Sequence, residues 1–298
     1  MRLILENVGK VQEADIKLDG ITLIAGENNT GKSTVGKMLF CIFESFYKIE
    51  RQISQERINT IGRHIANFYH ETFNRAGRKY SVHDLAAEFV HNKEQYVGDS
   101  RIIRKAIENF FENREINFDA IAYQDTLEQL ADKIYSVLFI EDTKIQLEIR
   151  NSKIEFEVIN NENINIIQDM SLNKEIIYID DPFVLDDLQD LLPYRSVYGL
   201  NHRDSLLDKI VRVKDTRDFG ALDEILVNKK LERIFETMNG ICDGDLTVSE
   251  DGGNYSYRTS ELNGTLEMSN LSTGIKSFII LKTLLRNGSI NDNGVVIL

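Results

Sequence analysis

The sequence contains no tryptophan, only two prolines and only two cysteines in 298 residues. The two cysteines, Cys41 and Cys242, cannot build a disulfide framework, and no C-x-x-C pair is present to bind zinc. Because proline is scarce and no low-complexity stretch occurs, composition marks no flexible linker between domains. We therefore expect a protein of a reducing compartment, the cytoplasm, rather than a disulfide-stabilised secreted domain.

Long hydrophobic runs and an excess of positive charge are also missing. The most apolar late stretch, Phe278–Leu285, is far shorter than a membrane span and contains Lys282. The N-terminal sequence MRLILENVGK lacks the apolar core of a secretory signal, so no membrane contact is expected. The formal net charge of −13 argues against broad adhesion to nucleic acid or anionic lipid, although it is compatible with a local basic groove.

The strongest chemical signal is a glycine-bracketed segment near the N-terminus, GENNTGKST. It satisfies the G-x-x-x-x-G-K-[ST] pattern of a P-loop, in which backbone N–H groups cradle phosphates. The flanking residues fit that context, since Ile21–Ala25 is predicted to be a buried strand and Val35–Tyr47 an apolar helix. The predicted nucleotide-binding residues are Gly26, Glu27, Asn28, Asn29, Thr30, Gly31, Lys32, Ser33 and Thr34.

Each residue type in this segment has a physical role. Gly26 lets the chain leave the strand, and Gly31 lets backbone N–H groups close on an anion without an intervening Cβ. The helix expected to begin near Lys32 directs the positive end of its dipole at the same phosphates. Lys32 is expected to stabilise charge on the β- and γ-phosphates of ATP, and the Ser33 hydroxyl to ligate Mg²⁺. The two asparagines of the loop tolerate left-handed torsions.

Hydrophobic periodicity along the chain predicts a mixed α/β fold. Arg2–Val8 and Ala14–Leu18 alternate as strands before the P-loop strand, which is therefore the third. The pattern is then helical to about Leu138, and we predict a helical insertion over residues 48–135. Residues 137–159 alternate strictly between apolar and polar side chains, which predicts an antiparallel meander with one buried face.

The second half of the chain begins with a short apolar strand, Ile176–Ile179, followed by Asp180-Asp181-Pro182. This acidic end fits Asp181 as a helix N-cap with Pro182 as the first helical residue, and it also fits a Walker B-like metal site. The remaining predicted elements are a helix over Leu222–Ile241, strands over Leu246–Glu250, Tyr255–Thr259 and Thr265–Met268, a helix from Gly274 to Arg286, and a strand over Val295–Leu298.

A second motif, Leu271-Ser272-Thr273-Gly274, stands directly before the last predicted helix. Alone, it fits an ordinary serine N-cap. Together with the P-loop, the strands before it and the β-rich run, it makes the chain resemble the ABC-type ATPase heads of the SMC/RecF/OLD-like group, often described as AAA-family ATP-binding proteins. The matching segments are GENNTGKST at 26–34, LSTGIKS at 271–277 and GVVIL at 294–298, which resembles the strand leading into Walker B.

The resemblance implies a P-loop NTPase fold in which residues 1–298 form one ATPase head, with a mixed sheet and an antiparallel β subdomain. It further implies that residues 48–135 and 183–220 are variable helical insertions. It also implies that Leu271, Ser272, Thr273 and Gly274 act in trans, on the γ-phosphate held by the P-loop of a second copy. The expected assembly is an ATP-driven homodimer with two nucleotides between the heads. Related heads work with DNA or with partner proteins, and the residues of this chain do not choose between them.

The chain departs from the family pattern after the GVVIL-like strand. Family members continue with an Asp that supports Mg²⁺ and a Glu that orients the attacking water, whereas this sequence reaches Leu298 without either. We therefore expect a C-terminally incomplete ATPase that binds ATP poorly and barely hydrolyses it, with no catalytic carboxylate within the chain and with Lys32 stabilising charge on the phosphates. The alternative is a non-hydrolysing nucleotide-binding switch or scaffold for a partner protein.

Overall fold

A computed structural model gives the architecture of residues 1–72, 82–83, 86–87, 140–159, 163–168, 170–188, 202–212, 231–248, 255–260, 264–291 and 294–298. The predicted mixed α/β class is confirmed, since the described residues combine antiparallel sheets with helices. The chain divides into two compact units. The first unit comprises Met1–Thr22, Ser45–Tyr135 and Phe139–Asn173, and the second comprises Leu23–Glu44, Ser136–Leu138 and Lys174–Leu298.

The elements follow one another along the chain from an N-terminal hairpin to a short C-terminal strand. The helices are α1 (Lys32–Phe46), α2 (Ile49–Thr72), α3 (His202–Ile210), α4 (231–239) and α5 (Thr273–Arg286), with 3₁₀ turns at Pro182–Asp187 and Met268–Asn270. The strands are β1 (Arg2–Val8), β2 (Val11–Lys17), β3 (Ile140–Ile149), β4 (Ser152–Ile159), β5 (Asn163–Gln168), β6 (Ile176–Tyr178), β7 (Asp245–Val248), β8 (Tyr255–Arg258), β9 (Thr265–Leu266) and β10 (Val295–Ile297).

The first unit is built on a five-stranded antiparallel sheet in the order β2-β1-β3-β4-β5. The predicted first strand and meander are confirmed, while β2 begins three residues before the predicted Ala14 because its pairing with β1 extends back to Val8 and Val11. Alternation places one face of the sheet in the core. Its fully buried side chains are Leu3, Leu5, Ile145, Leu147, Ile154, Phe156 and Val158.

The other face of this sheet carries paired charges. Arg2 on β1 lies between Asp15 on β2, 2.6 Å away, and Glu148 on β3, 3.6 Å away. The hydrogen bond from the Arg2 guanidinium lowers the pKa of the Asp15 carboxyl below its usual value. Both side chains are about half exposed, so solvent screens the pair and its contribution to stability is small.

The second unit contains a parallel pair of strands, β6 and β10, on which α1 packs. Ile176 pairs with Val295 and Tyr178 with Ile297. The helix approaches closely at Gly36, where an added Cβ would lie 3.3 Å from Ile297 Cγ2 and 3.4 Å from Tyr178 Cε2. Burial, and secondarily the nearby Asp180, raises the pKa of Tyr178 to about 12.

The predicted buried strand at Ile21–Ala25 is wrong. This segment is irregular, and the side chains of Ile21 and Leu23 are 99% and 88% exposed. An apolar sequence forms a strand only where a neighbouring strand accepts its backbone hydrogen bonds, and no described strand pairs with these residues. The glycine-bracketed loop is therefore entered from an exposed segment.

The rest of the second unit packs a small antiparallel sheet, β7-β8-β9, against α5. Lys282 of α5 is buried and donates to the carbonyl oxygens of Cys242 (3.0 Å) and Gly244 (2.8 Å) beyond the end of α4. At the other side, Asn287 donates to the Lys209 carbonyl at the end of α3. These bonds satisfy two carbonyl groups of the loop after α4 and one terminal carbonyl group of α3, and they fix α5 in place.

Parts of several predicted elements lie outside the described residues. The insertion predicted over 48–135 is described for α2 and for residues 82–83 and 86–87, and that predicted over 183–220 for 183–188 and 202–212. The helix predicted over Leu222–Ile241 is described from residue 231. Within the part of the chain that the structure describes, no helix combines the length and apolarity needed to cross a membrane.

Candidate functional site

The glycine-bracketed loop leads directly into α1, which begins at Lys32 as predicted. Two of its residues have left-handed torsions, Asn29 with φ of 66° and Gly31 with φ of 93°. Asparagine and glycine are the residues that adopt such torsions with least strain. Of the two asparagines expected to suit this conformation, Asn29 is the one that adopts it.

Side chains of the loop fold back on its own carbonyl groups. The Lys32 ammonium donates to the carbonyl oxygens of Gly26, at 2.8 Å, and of Glu27. Thr30 Oγ1 also donates to the Glu27 carbonyl, at 2.9 Å. A Cβ added at Gly26 would lie 3.2 Å from Thr30 Oγ1, so the closed shape of the loop favours glycine at this position.

The start of α1 is electrostatically suited to an anion. The first backbone N–H groups of a helix have no intrahelical partner, and the helix dipole is positive at this end. No acidic residue lies in the first turn of α1 to neutralise that field. Ser33 is exposed beside Lys32, whose ammonium carries three donor hydrogens and can bind phosphate oxygens.

The segment Leu271–Gly274 forms the start of α5, which begins at Thr273, one residue before the prediction. Leu271 is buried in the core of the second unit, and Ser272, Thr273 and Gly274 are exposed. Ser272 is the N-cap, because its side chain accepts a hydrogen bond from the Ile275 N–H at 3.4 Å. The interpretation of Ser272 as an ordinary helix N-cap is thus confirmed. Its predicted contact with the nucleotide of a second copy remains a prediction.

Gly274 has no packing reason to be glycine. Among the described residues, nothing lies within 4 Å of a Cβ built at this position, and its φ is not left-handed. Glycine inside a helix costs roughly 0.5–1 kcal/mol relative to alanine. The packing of the described residues therefore does not explain why this position lacks a side chain.

The structure does not join the two motifs within one chain. The hydrogen bonds of residues 26–34 stay within the loop and the first turn of α1. Those of residues 271–274 stay between Met268 and Ser277. Across the described residues, no hydrogen bond or ion pair connects the loop with the Ser272 segment.

The two aspartates that follow β6, Asp180 and Asp181, make contacts that stabilise the surrounding chain. Asp181 caps the 3₁₀ turn as predicted, accepting from the Phe183 N–H at 2.9 Å, with Pro182 as the first residue of the turn. The Asp180 carboxylate lies 2.9 Å from His202 Nε2. Among the described residues, no group of three or more His, Cys, Asp or Glu side chains is placed to hold a metal. These contacts favour the N-cap interpretation over a Walker B-like site here.

The ion pair between Lys276 and Asp186 is a functional candidate that the sequence motifs did not predict. The Lys276 side chain is 1% exposed, and its Nζ lies 2.7 Å from both carboxylate oxygens of Asp186. Its position in the sequence could have indicated its burial. Lys276 lies three and four residues before the buried Ile279 and Ile280, and therefore on the apolar stripe of α5. A lysine on such a stripe indicates a buried partner.

The structure describes a helix start at each of the two predicted motifs, the loop-to-helix junction at Lys32 and the serine cap at Ser272. Both place backbone N–H groups of a helix start beside an exposed hydroxyl, at Ser33 and at Ser272. The chain matches no protein-family model, no curated protein and no solved structure.

Proposed function

We propose that the chain binds ATP with Mg²⁺ through Gly26–Thr34, as part of an ABC-type P-loop NTPase of the SMC/RecF/OLD-like kind. The observation that supports this proposal best is the Gly31–Lys32 junction. There, a left-handed glycine, a lysine ammonium and the start of a fifteen-residue helix converge. This combination binds an anion through dipole, N–H groups and a full positive charge together.

Different groups of the chain bind the phosphates and the Mg²⁺ ion in this proposal. Backbone N–H groups at the start of α1 bind phosphate oxygens, and Lys32 transfers its ammonium from the loop carbonyls to the β- and γ-phosphates. Ser33 offers an exposed hydroxyl oxygen, a hard ligand of the kind that Mg²⁺ prefers. One protein oxygen suits Mg²⁺, which keeps several water and phosphate ligands in nucleotide sites.

The Ser272 segment completes the site from a second copy in this proposal. Ser272, Thr273 and Gly274 are exposed at a helix start, so their N–H groups and hydroxyls can reach a phosphate outside their own chain. The open space at Gly274 leaves room for that close approach. Among the described residues, no hydrogen bond or ion pair joins this segment to the loop of the same chain, which is compatible with a site shared by two copies.

Binding rather than hydrolysis is the activity that the described residues support. Asp180, Asp181 and Asp186 engage His202, a backbone N–H and Lys276, so none is held ready to orient a water molecule. A nucleotide-operated switch or scaffold is therefore the second candidate for this chain. A cytoplasmic location, supported by the cysteines Cys41 and Cys242, neither of which is in a disulfide, and a DNA or protein partner belong to the same proposal.

Calorimetric titration of the 298-residue chain with nucleotides tests ATP binding. In the presence of Mg²⁺ we expect ATP to bind at least about 100-fold more tightly than AMP, because Lys32 and the helix start contact the phosphates that AMP lacks. A chain that binds ATP and AMP equally, or binds neither, contradicts the proposed site.

The role in trans is tested by ATP-dependent dimer formation, measured by light scattering. Ser272→Arg is expected to abolish the dimer, since a long side chain then occupies the space of the phosphate. Gly274→Ala is expected to weaken the dimer while stabilising the monomer by roughly 0.5–1 kcal/mol. Gly264→Ala is the matched control, because a Cβ there also meets nothing within 4 Å. An unchanged dimer in a folded Ser272→Arg variant excludes the role in trans.

A further inference from the structure

Lys276 is an unusual residue for the place it occupies. Its ammonium is buried against both carboxylate oxygens of Asp186, at 2.7 Å each, and lies 4.4 Å from the centre of the Phe183 ring. The Asp186 side chain is 28% exposed, so the cost of taking charge out of water falls mainly on Lys276, and the attraction of the pair does little more than offset it. An apolar pair would hold the same elements together at least as well, which points to a role other than stability.

The position of the pair indicates that role. Lys276 lies one helical turn after Ser272, and its backbone N–H donates to the Ser272 carbonyl at 3.0 Å. Asp186 lies at the end of the 3₁₀ turn that Asp181 caps directly after β6. The ion pair therefore ties the first turn of α5 to the 3₁₀ turn that follows β6.

We propose that Asp186 and Lys276 are positioning residues for the exposed Ser272 segment. Two hydrogen bonds to one carboxylate and one contact with an aromatic face fix the rotation of the first turn of α5, whereas the bonds of Lys282 and Asn287 hold its later turns. The direction of the Ser272 hydroxyl and of the helix N–H groups is set by that rotation. This inference rests on the proposed function, in which the segment meets the nucleotide of a second copy.

The decisive variant replaces both charges by apolar side chains of similar size, Asp186→Leu with Lys276→Met. The double variant is expected to retain its unfolding midpoint and its ATP affinity, because the pair is not in contact with the loop at Gly26–Thr34. Its ATP-dependent dimer is expected to dissociate about 10- to 100-fold more readily, since small misplacements of a binding group have effects of this size. Asp186→Asn, which keeps the shape of the site, is expected to give a smaller loss in the same direction.

Arg286→Met is the matched control on the same helix. It breaks an ion pair with Asp245 (3.0 Å) at the opposite end of α5, and we expect no effect on the dimer. A folded double variant with wild-type dimer affinity overturns the positioning role and leaves ATP binding intact. A wild-type chain that binds ATP without dimerising overturns the positioning role and the role in trans. Failure of the wild-type chain to bind ATP overturns the proposed function itself.

Discussion

Substituting alanine for Lys32 is expected to weaken ATP binding about 100-fold and to remove any ATP turnover that the chain has. The ammonium is the only cationic side chain of the loop, and hydrogen bonds to charged groups contribute about 1.5–3 kcal/mol. A loss of about 3 kcal/mol corresponds to roughly two decades in the dissociation constant. The variant also loses the bonds to the Gly26 and Glu27 carbonyls, so the loop becomes less ordered before nucleotide arrives.

Titration calorimetry and phosphate release measure this effect, and Lys37→Ala provides the control. Lys37 lies on the same helix but beyond its first turn, so its removal changes the net charge equally and leaves the phosphate contacts in place. We expect Lys37→Ala to bind ATP within about twofold of the wild type. Equal ATP affinity and equal phosphate release from the wild type and Lys32→Ala would show that the loop has no part in nucleotide chemistry.

Gly244→Ala is expected to lower the free energy of unfolding by about 3 kcal/mol. A Cβ at this position would lie 2.0 Å from Tyr257 Cζ and 2.3 Å from its hydroxyl oxygen, far inside contact distance. Tyr257 is buried, and its hydroxyl accepts from the Gly244 N–H at 3.1 Å and contacts Cys242 Sγ at 3.5 Å. The ring cannot move away without losing these contacts and the packing between β8 and α5.

Urea unfolding of the purified variants measures this loss. Gly264→Ala again serves as the control, and we expect it to differ from the wild type by less than about 0.5 kcal/mol. Combining Gly244→Ala with Tyr257→Leu, which removes the clashing end of the ring, is expected to recover part of the stability. A loss below about 0.5 kcal/mol for Gly244→Ala would mean that Tyr257 leaves its position at little cost.

Features that depend on a few neighbouring residues could be predicted from the sequence. The start of α1 at Lys32 follows from a glycine before an apolar helix, and the cap at Ser272 from a serine before another. The strict alternation over residues 137–159 likewise predicted both strands, which the structure places at Ile140–Ile149 and Ser152–Ile159. In each case, the contacts that determine where the element begins or ends involve residues close together in the sequence, so the local sequence pattern is enough to predict the element.

Features that depend on distant partners could not be predicted in this way. Ile21–Ala25 has the composition of a strand, but composition does not reveal whether another strand offers its edge. The pairing of β1 with β3 and of β6 with β10 joins segments that share no local signal. The burial of Lys276 depends in the same way on Asp186, which lies in a separate turn ninety positions earlier in the chain.

The pairing of β6 with β10 also determines the order in which the chain can fold. Ile176 meets its partner Val295 only after all the intervening residues have been synthesised, and Arg2 likewise waits for Glu148. Such distant pairings form slowly, because the entropy of closing a long loop is lost before any contact compensates for it. The adjacent strands β3, β4 and β5 face no such delay and are expected to form first on the ribosome. The surface on which α1 rests, and with it a firmly seated loop at Gly26–Thr34, is therefore among the last parts of the molecule to mature.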